Sequence, residues 1–145
     1  MNALADLYQE VILDHSRHPR NFGKAKRANR KAKGYNPLCG DRVEIYIRIK
    51  KGVIADITFE AIGCAISLAS ASMMTEMIKG MSEDEASELF GQFHAMVTGD
   101  SEEGKDLDDL EALAGVRKFP SRIKCATLAW HAMKAALENK KEVKL

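Results

Sequence analysis

Two alternating segments on either side of the turn "KKG" constrain the fold most. In the first, apolar residues recur at every second position from Val43 to Ile49, and in the second the same pattern runs from Val53 to Ala61. A period of two places one face of a strand in the core and the other in water. Two such strands joined by a short turn containing glycine predict an antiparallel hairpin. Its apolar face requires a cover.

Segments with helical spacing flank the hairpin and can supply that cover. Apolar residues at helical spacing predict a first helix over about residues 3–17, which Pro19 ends. The stretch "CAISLASASMMTEMIKG" predicts a second helix, and "SEDE" from Ser82 to Glu85 has the form of a capping box that opens a third. Ile123, Ala126, Trp130, Met133 and Leu137 form one stripe of a last helix. Strands followed by helices predict an α+β fold.

Two charged segments have less definite interpretations. The basic stretch "KAKRANRKAK" at 24–33 fits an edge strand whose lysines oppose aggregation, or a docking surface. It lacks aromatic residues, so a nucleic-acid-binding module is only a third hypothesis, which strongly salt-dependent binding would support. The acidic segment from Thr98 to Glu111 predicts a surface insertion with a short helix at "DLDDLEALAG".

Composition limits the class of protein. With 145 residues, 46% hydrophobic and 30% charged, the chain is predicted to form one globular domain over 1–145. The net charge of +1 favours no class of partner. The start "MNALADLYQEVILDH" lacks a basic leader, and the longest weakly polar run is too short to span a bilayer. We therefore expect a cytoplasmic protein without membrane partners, whose three cysteines are metal-binding or reactive rather than disulfide-bonded.

The three cysteines all fall at the ends of predicted elements. Cys39 lies in "NPLCGD" before the hairpin, Cys64 follows it where a helix begins, and Cys125 opens the last helix in the first turn or so. A helix N-terminus favours a thiolate over a thiol, so Cys64 and Cys125 are expected to ionise readily. Four basic residues add positive charge beside Cys125: Arg117, Lys118, Arg122 and Lys124.

Loops converging at one end of a sheet could bring Cys39, Cys64 and Cys125 together with Asp41. Three sulfurs and one oxygen suit tetrahedral Zn²⁺, and they also suit an iron–sulfur cluster that the oxygen ligand makes labile. Spacing alone leaves other interpretations open. Cys64 could be a small buried residue, and Asp41 could only form an Asx turn. His131, about two turns beyond Cys125, is a weaker candidate ligand.

Four motifs together resemble the U-type iron–sulfur assembly proteins, the SufU and IscU group, over nearly the whole chain. They are "HSRHPRNFG", "NPLCGD", "GCAISLASASMMTE" and "RIKCATLAWHA". The resemblance implies a small, mostly antiparallel sheet of about three strands packed against several helices. It also implies that Cys39, Asp41, Cys64 and Cys125 converge at one exposed end.

Departures from the IscU pattern favour the SufU branch. IscU-type scaffolds usually carry "LPPVK" and a histidine directly before the third cysteine, whereas this chain has "FPSRIKC", with Lys124 in the histidine's place. The acidic insertion also looks like SufU. The resemblance thus implies a zinc-dependent sulfurtransferase-like protein in which Cys39 accepts persulfide sulfur from a SufS-like cysteine desulfurase. Downstream iron–sulfur assembly proteins are the expected recipients. The alternative is a scaffold on which a [2Fe–2S] cluster is assembled and transferred.

Overall fold

The fold is described by a computed structural model covering residues 9–99 and 107–145. Its helices are α1 (Glu10–Arg17), α2 (Ala65–Ile78), α3 (Glu83–Thr98) and α4 (Pro120–Leu137), with a 3-10 helix at Asp108–Lys118. Its strands are β1 (Arg30–Asn36), β2 (Asp41–Lys50), β3 (Val53–Ile62) and β4 (Glu142–Lys144). The predicted α+β class is confirmed.

The sheet has the strand order β3-β2-β1-β4 and is mostly antiparallel. The predicted hairpin is β2 and β3, joined at Lys51 and Gly52, which both adopt positive φ. Such a turn matches the twist of the two strands. The sequence predicted about three strands, and the fourth, β4, pairs in parallel with β1.

The basic segment at 24–33 contributes only its last four residues, from Arg30 to Lys33, to β1. That strand lies between β2 and β4, so the expectation of an edge strand is wrong. The reason is that the chain returns after α4 and places Glu142–Lys144 along the free side of β1. Three residues carry too little periodicity to be recognised as a strand in the sequence.

The helices cover the apolar face of the hairpin. Ile45, Ile47 and Phe59 are fully buried beneath them. Trp130 of α4 is also fully buried and stacks on Phe93, with 4.5 Å between ring centroids. Helix α4 is buried on more than the single stripe predicted, because it packs against the sheet, α2 and α3 at once.

The helix starts follow the sequence signals. Ser82 and Glu85 form the predicted capping box: Glu85 N donates to Ser82 Oγ at 3.1 Å, and Ser82 N donates to Glu85 Oε1 at 3.0 Å. The first helix was predicted over 3–17 and is observed at Glu10–Arg17; the predicted residues 3–8 lie outside the described ranges.

The acidic segment differs from the prediction of a surface insertion at 98–111. Thr98 is the last residue of α3, and residues 100–106 lie outside the described ranges. From position 107 onward the segment packs into the core, where four side chains are buried: Leu107, Leu110, Leu113 and Val116. A spacing of three puts them on one face of a 3-10 helix, which explains why a run of acidic residues is nevertheless anchored. Within the described ranges, no helix combines the length and apolarity needed to cross a membrane.

Candidate metal centre

The loop between β1 and β2 carries the first two candidate ligands. Asn36 ends β1 and pairs with Asp41, the first residue of β2. Between them Gly40 adopts a φ of +74°, and its N–H donates to the carbonyl of Asn36 at 2.9 Å. Cys39 is thereby exposed at the tip, whereas Asp41 is only 1% exposed. The Asn36 side chain donates to Cys39 Sγ at 3.0 Å and holds the sulfur over the site.

The other two cysteines approach from helices. Cys64 is the N-cap of α2, and its backbone N–H donates to Asp41 Oδ1 at 3.2 Å. Cys125 is buried and lies in the second turn of α4, which begins at Pro120, close to the predicted position in the first turn or so. Its sulfur is 3.6 Å from the carbonyl oxygen of Ser121 within the same helix.

The four predicted residues come together at one end of the sheet. Cys39 Sγ lies 3.1 Å from Asp41 Oδ2 and 3.6 Å from Cys125 Sγ. The ligand atoms of Cys39, Asp41 and Cys125 all lie within 4.8 Å of one another. Cys64 is at the margin of this group, with its Sγ 4.0 Å from Asp41 Oδ2.

The thiols of Cys64 and Cys125 differ in acidity. A hydrogen bond from Cys125 lowers the pKa of Cys64, and the N–H groups of Ser67 and Ile66 at the start of α2 lower it further against the cost of burial. The pKa of Cys125 is raised by its hydrogen bond to Cys64, by burial and by Asp41. The Cys125 sulfur lies beyond the free N–H groups of its helix and next to other negative groups, and both features oppose its ionisation in the absence of a metal.

The donor set fits a single tetrahedral ion. Two sulfurs bound to one Zn²⁺ lie about 3.7 Å apart, from a Zn–S distance of about 2.3 Å. The Cys39 and Cys125 sulfurs are separated by 3.6 Å. A two-iron cluster divides four ligands between two metal atoms, so two sulfurs on the same iron would lie equally close.

Two further residues shape the site and were not singled out from the sequence. A Cβ at Gly63 would lie 2.5 Å from Asp41 Oδ1, so only glycine admits the carboxylate here. The position of Gly63 directly before Cys64 in the sequence could have indicated that this glycine belongs to the site. Asn36 donates a hydrogen bond to Cys39, and only its closeness to Cys39 in the sequence could have indicated this role. His131 lies outside the donor group and packs against Phe90, with 5.0 Å between ring centroids.

Large apolar side chains are exposed beside the site. Leu38, next to Cys39, is 79% exposed, and Ile62, two residues before Cys64, is 77% exposed. Phe22, whose ring contacts Phe59, is 51% exposed and shares with Ile62 a groove of about 330 Å³. Such side chains next to reactive sulfurs are typical of a surface that binds a partner.

Known proteins share both this sequence and this fold. Residues 7–144 match the family described as NifU-like N terminal domain. The zinc-dependent sulfurtransferase SufU of Bacillus subtilis is 44% identical over 131 residues, covering 90% of this chain and 88% of that protein. The iron–sulfur cluster assembly scaffold protein IscU of Streptococcus pyogenes is 42% identical over 140 residues, covering 96% and 87%.

Solved structures agree with these relatives. The crystal structure of FiSufU from Fervidobacterium islandicum superposes with a TM-score of 0.85 at 34% identity. The superposition covers 90% of this chain and 96% of the FiSufU chain. The fold and the cysteine-rich site thus define an iron–sulfur cluster assembly protein of the U type. The chain belongs to the NifU-like N-terminal domain family, which includes the SufU and IscU proteins.

Proposed function

We propose that this protein is a zinc-dependent sulfur-transfer protein that accepts persulfide sulfur from a cysteine desulfurase for iron–sulfur cluster assembly. The observation that carries the proposal is the exposure of one sulfur in an otherwise enclosed donor group. Cys39 is exposed on a loop, whereas Cys125 is buried and Cys64 is half-buried. A protein partner can therefore reach Cys39 first.

Cys39, Asp41, Cys64 and Cys125 would hold Zn²⁺, which keeps thiols deprotonated and undergoes no redox change itself. In the transfer step, the Cys39 thiolate attacks the outer sulfur of the desulfurase persulfide. A new S–S bond forms on Cys39, the S–S bond of the desulfurase breaks, and the desulfurase cysteine leaves as a thiolate. The exchange is balanced without an external oxidant or reductant.

The loop geometry supports this role for Cys39. Gly40 permits the turn at positive φ, and the loop joins two strands without belonging to either. Movement of Cys39 towards a partner therefore breaks neither β1 nor β2. Asp41 is held in place by the Cys64 N–H and would remain as the exchangeable oxygen ligand when Cys39 leaves.

The exposed apolar side chains suit a docking partner. Leu38 and Ile62 flank the cysteines, and a SufS-like desulfurase covering them would bury apolar surface while it reaches Cys39. The downstream recipients would be cytoplasmic iron–sulfur assembly proteins. This part of the proposal rests on the family and on the position of the exposed side chains.

The second candidate function is a scaffold for a [2Fe–2S] cluster. The names of several relatives favour it, since the S. pyogenes and Thermotoga maritima IscU proteins are called scaffolds. The absence of a histidine before Cys125 favours zinc, and so does the name of the B. subtilis relative.

Elemental analysis and a visible spectrum of protein purified without added metal separate the two candidates. Zinc-dependent transfer predicts about one zinc per chain and no visible band, because Zn²⁺ has a filled d shell. Iron and sulfide in near equal amounts with a brown colour would instead favour the scaffold. Protein without metal would contradict both.

A further inference from the structure

A second group of metal-ligating side chains lies away from the cysteines, where α1, α2 and the 3-10 helix meet. It consists of His15, Glu76 and Asp109, one from each element. These side chains line a cavity of about 210 Å³ together with Met73 and Met77. The proposed sulfur transfer makes no use of this group.

His15 is held with one ring nitrogen facing the cavity. Its side chain is 4% exposed, and its Nδ1 is hydrogen-bonded to Ser72 Oγ at 2.7 Å. Its Nε2 lies 3.8 Å from Glu76 Oε1 and 3.9 Å from Asp109 Oδ2. Both distances exceed hydrogen-bond length, so within the described ranges Nε2 has no hydrogen-bond partner. The buried His15 side chain thus points its Nε2 into the cavity, where two carboxylates face it at ion-pair distance.

We propose that His15 Nε2, Glu76 and Asp109 bind a divalent transition-metal ion. One imidazole with carboxylates is a donor set that Mn²⁺, Fe²⁺ and Zn²⁺ accept. An ion between the three groups would bind Nε2 and both carboxylates at once. The carboxylates belong to side chains that are 49% and 66% exposed, so they can turn inward while the buried imidazole stays fixed.

Ser72 allows the imidazole to present a lone pair to the ion. The serine hydroxyl already accepts a hydrogen bond from the backbone N–H of Arg20 at 2.8 Å. It can donate to His15 Nδ1 when no ion is bound, or accept from Nδ1–H when Nε2 ligates, because a hydroxyl has one donor and two acceptor sites. Such an outer partner is typical of a histidine that binds a metal.

Neighbouring charge leaves the two carboxylates available. Arg20 is a nearby cation, and its guanidinium is engaged with Asp14 at 2.6 Å and with the His18 carbonyl at 3.0 Å. Arg20 also interacts electrostatically with Glu76 and Asp109 at longer range. Its single positive charge offsets only part of the negative charge of the two carboxylates. A divalent cation would complete the neutralisation.

Mn²⁺ is a suitable probe, because thiolates select softer ions and the cysteines should compete little for it. Free Mn²⁺ is followed by electron paramagnetic resonance during titration of the full chain. We expect one site per chain that Glu76→Gln and Asp109→Asn each weaken about tenfold or more. Glu111→Gln is the matched control, because it removes an exposed charge from the same 3-10 helix without lining the cavity.

Two results would overturn the proposal. One is unchanged Mn²⁺ affinity in both carboxylate variants, and the other is loss of binding in Cys39→Ser alone. A second measurement keeps His15 intact: Mn²⁺ should broaden the ring resonances of His15 at lower concentrations than those of His94 and His131. Equal broadening of the three histidines would also contradict the site.

Discussion

At the scale of single residues, the metal centre depends on the approach of Gly63 to Asp41. The carboxylate occupies the space that any side chain at position 63 would need. It also accepts the Cys64 N–H, so its position fixes the start of α2 relative to β2. A change at Gly63 should therefore disturb both metal binding and stability.

Gly63→Ala should weaken metal binding and lower the free energy of unfolding by about 1–3 kcal/mol, because Asp41 must shift and its buried carboxylate loses a donor. Gly91→Ala is the matched control: it lies in α3, and a Cβ there would meet nothing within 4 Å. It should stabilise the protein by about 0.5–1 kcal/mol. Urea unfolding and metal content measure both effects, and an unaffected Gly63→Ala variant would show that Asp41 can move freely.

At the scale of elements, the strength of the periodic signal determined what could be predicted. Alternation from Val43 to Ile49 and from Val53 to Ala61 revealed β2 and β3, and the Ser82 motif revealed the start of α3. The strand β4 was missed, because it has only three residues. A short helix was predicted at "DLDDLEALAG" and is observed at Asp108–Lys118, but its burial was not predicted, because its leucines recur every third position, between the strand and α-helix periods.

Ser82→Ala should lower the free energy of unfolding by about 1 kcal/mol, because the Glu85 N–H loses its acceptor at the start of α3. Ser87→Ala, in the interior of the same helix, should cost less or slightly stabilise, since alanine is the better helix former there. Chemical denaturation measures the difference. Equal costs in the two variants would mean that the capping box contributes little.

At the scale of the whole molecule, the sequence indicated which residues converge but not their protonation. The elements that carry Cys39, Asp41, Cys64 and Cys125 were predictable, and so was the class of fold. The acidity of Cys125 was not, because it depends on burial and on neighbours from other elements. The extent of the domain over 1–145 stays a prediction.

The stability of the whole molecule should fall with decreasing pH in part through His131. Burial, and the nearby His94 and Lys134, lower its pKa below the ordinary 6.5. Between the two values the unfolded chain binds a proton that the folded chain does not. The contribution of His131 is therefore complete above about pH 6.5 and is lost as the pH falls through the folded-state pKa.

A series of urea unfolding curves from about pH 7.5 to about pH 5 tests this effect, because carboxylates titrate mainly below that range. The wild-type protein should lose stability more steeply than His131→Gln. Identical slopes would mean that His131 is protonated as easily in the folded chain as in the unfolded one.

The central claim is that Cys39 receives sulfur from a desulfurase, and mass spectrometry of its peptide tests this most directly. The protein is incubated with a SufS-like desulfurase and cysteine without added thiols, and an incubation lacking cysteine is the control. We expect one additional sulfur atom on the peptide containing Cys39, and no sulfur acceptance by Cys39→Ala. Sulfur found first on Cys64 or Cys125, or normal acceptance by the Cys39→Ala variant, would contradict the account.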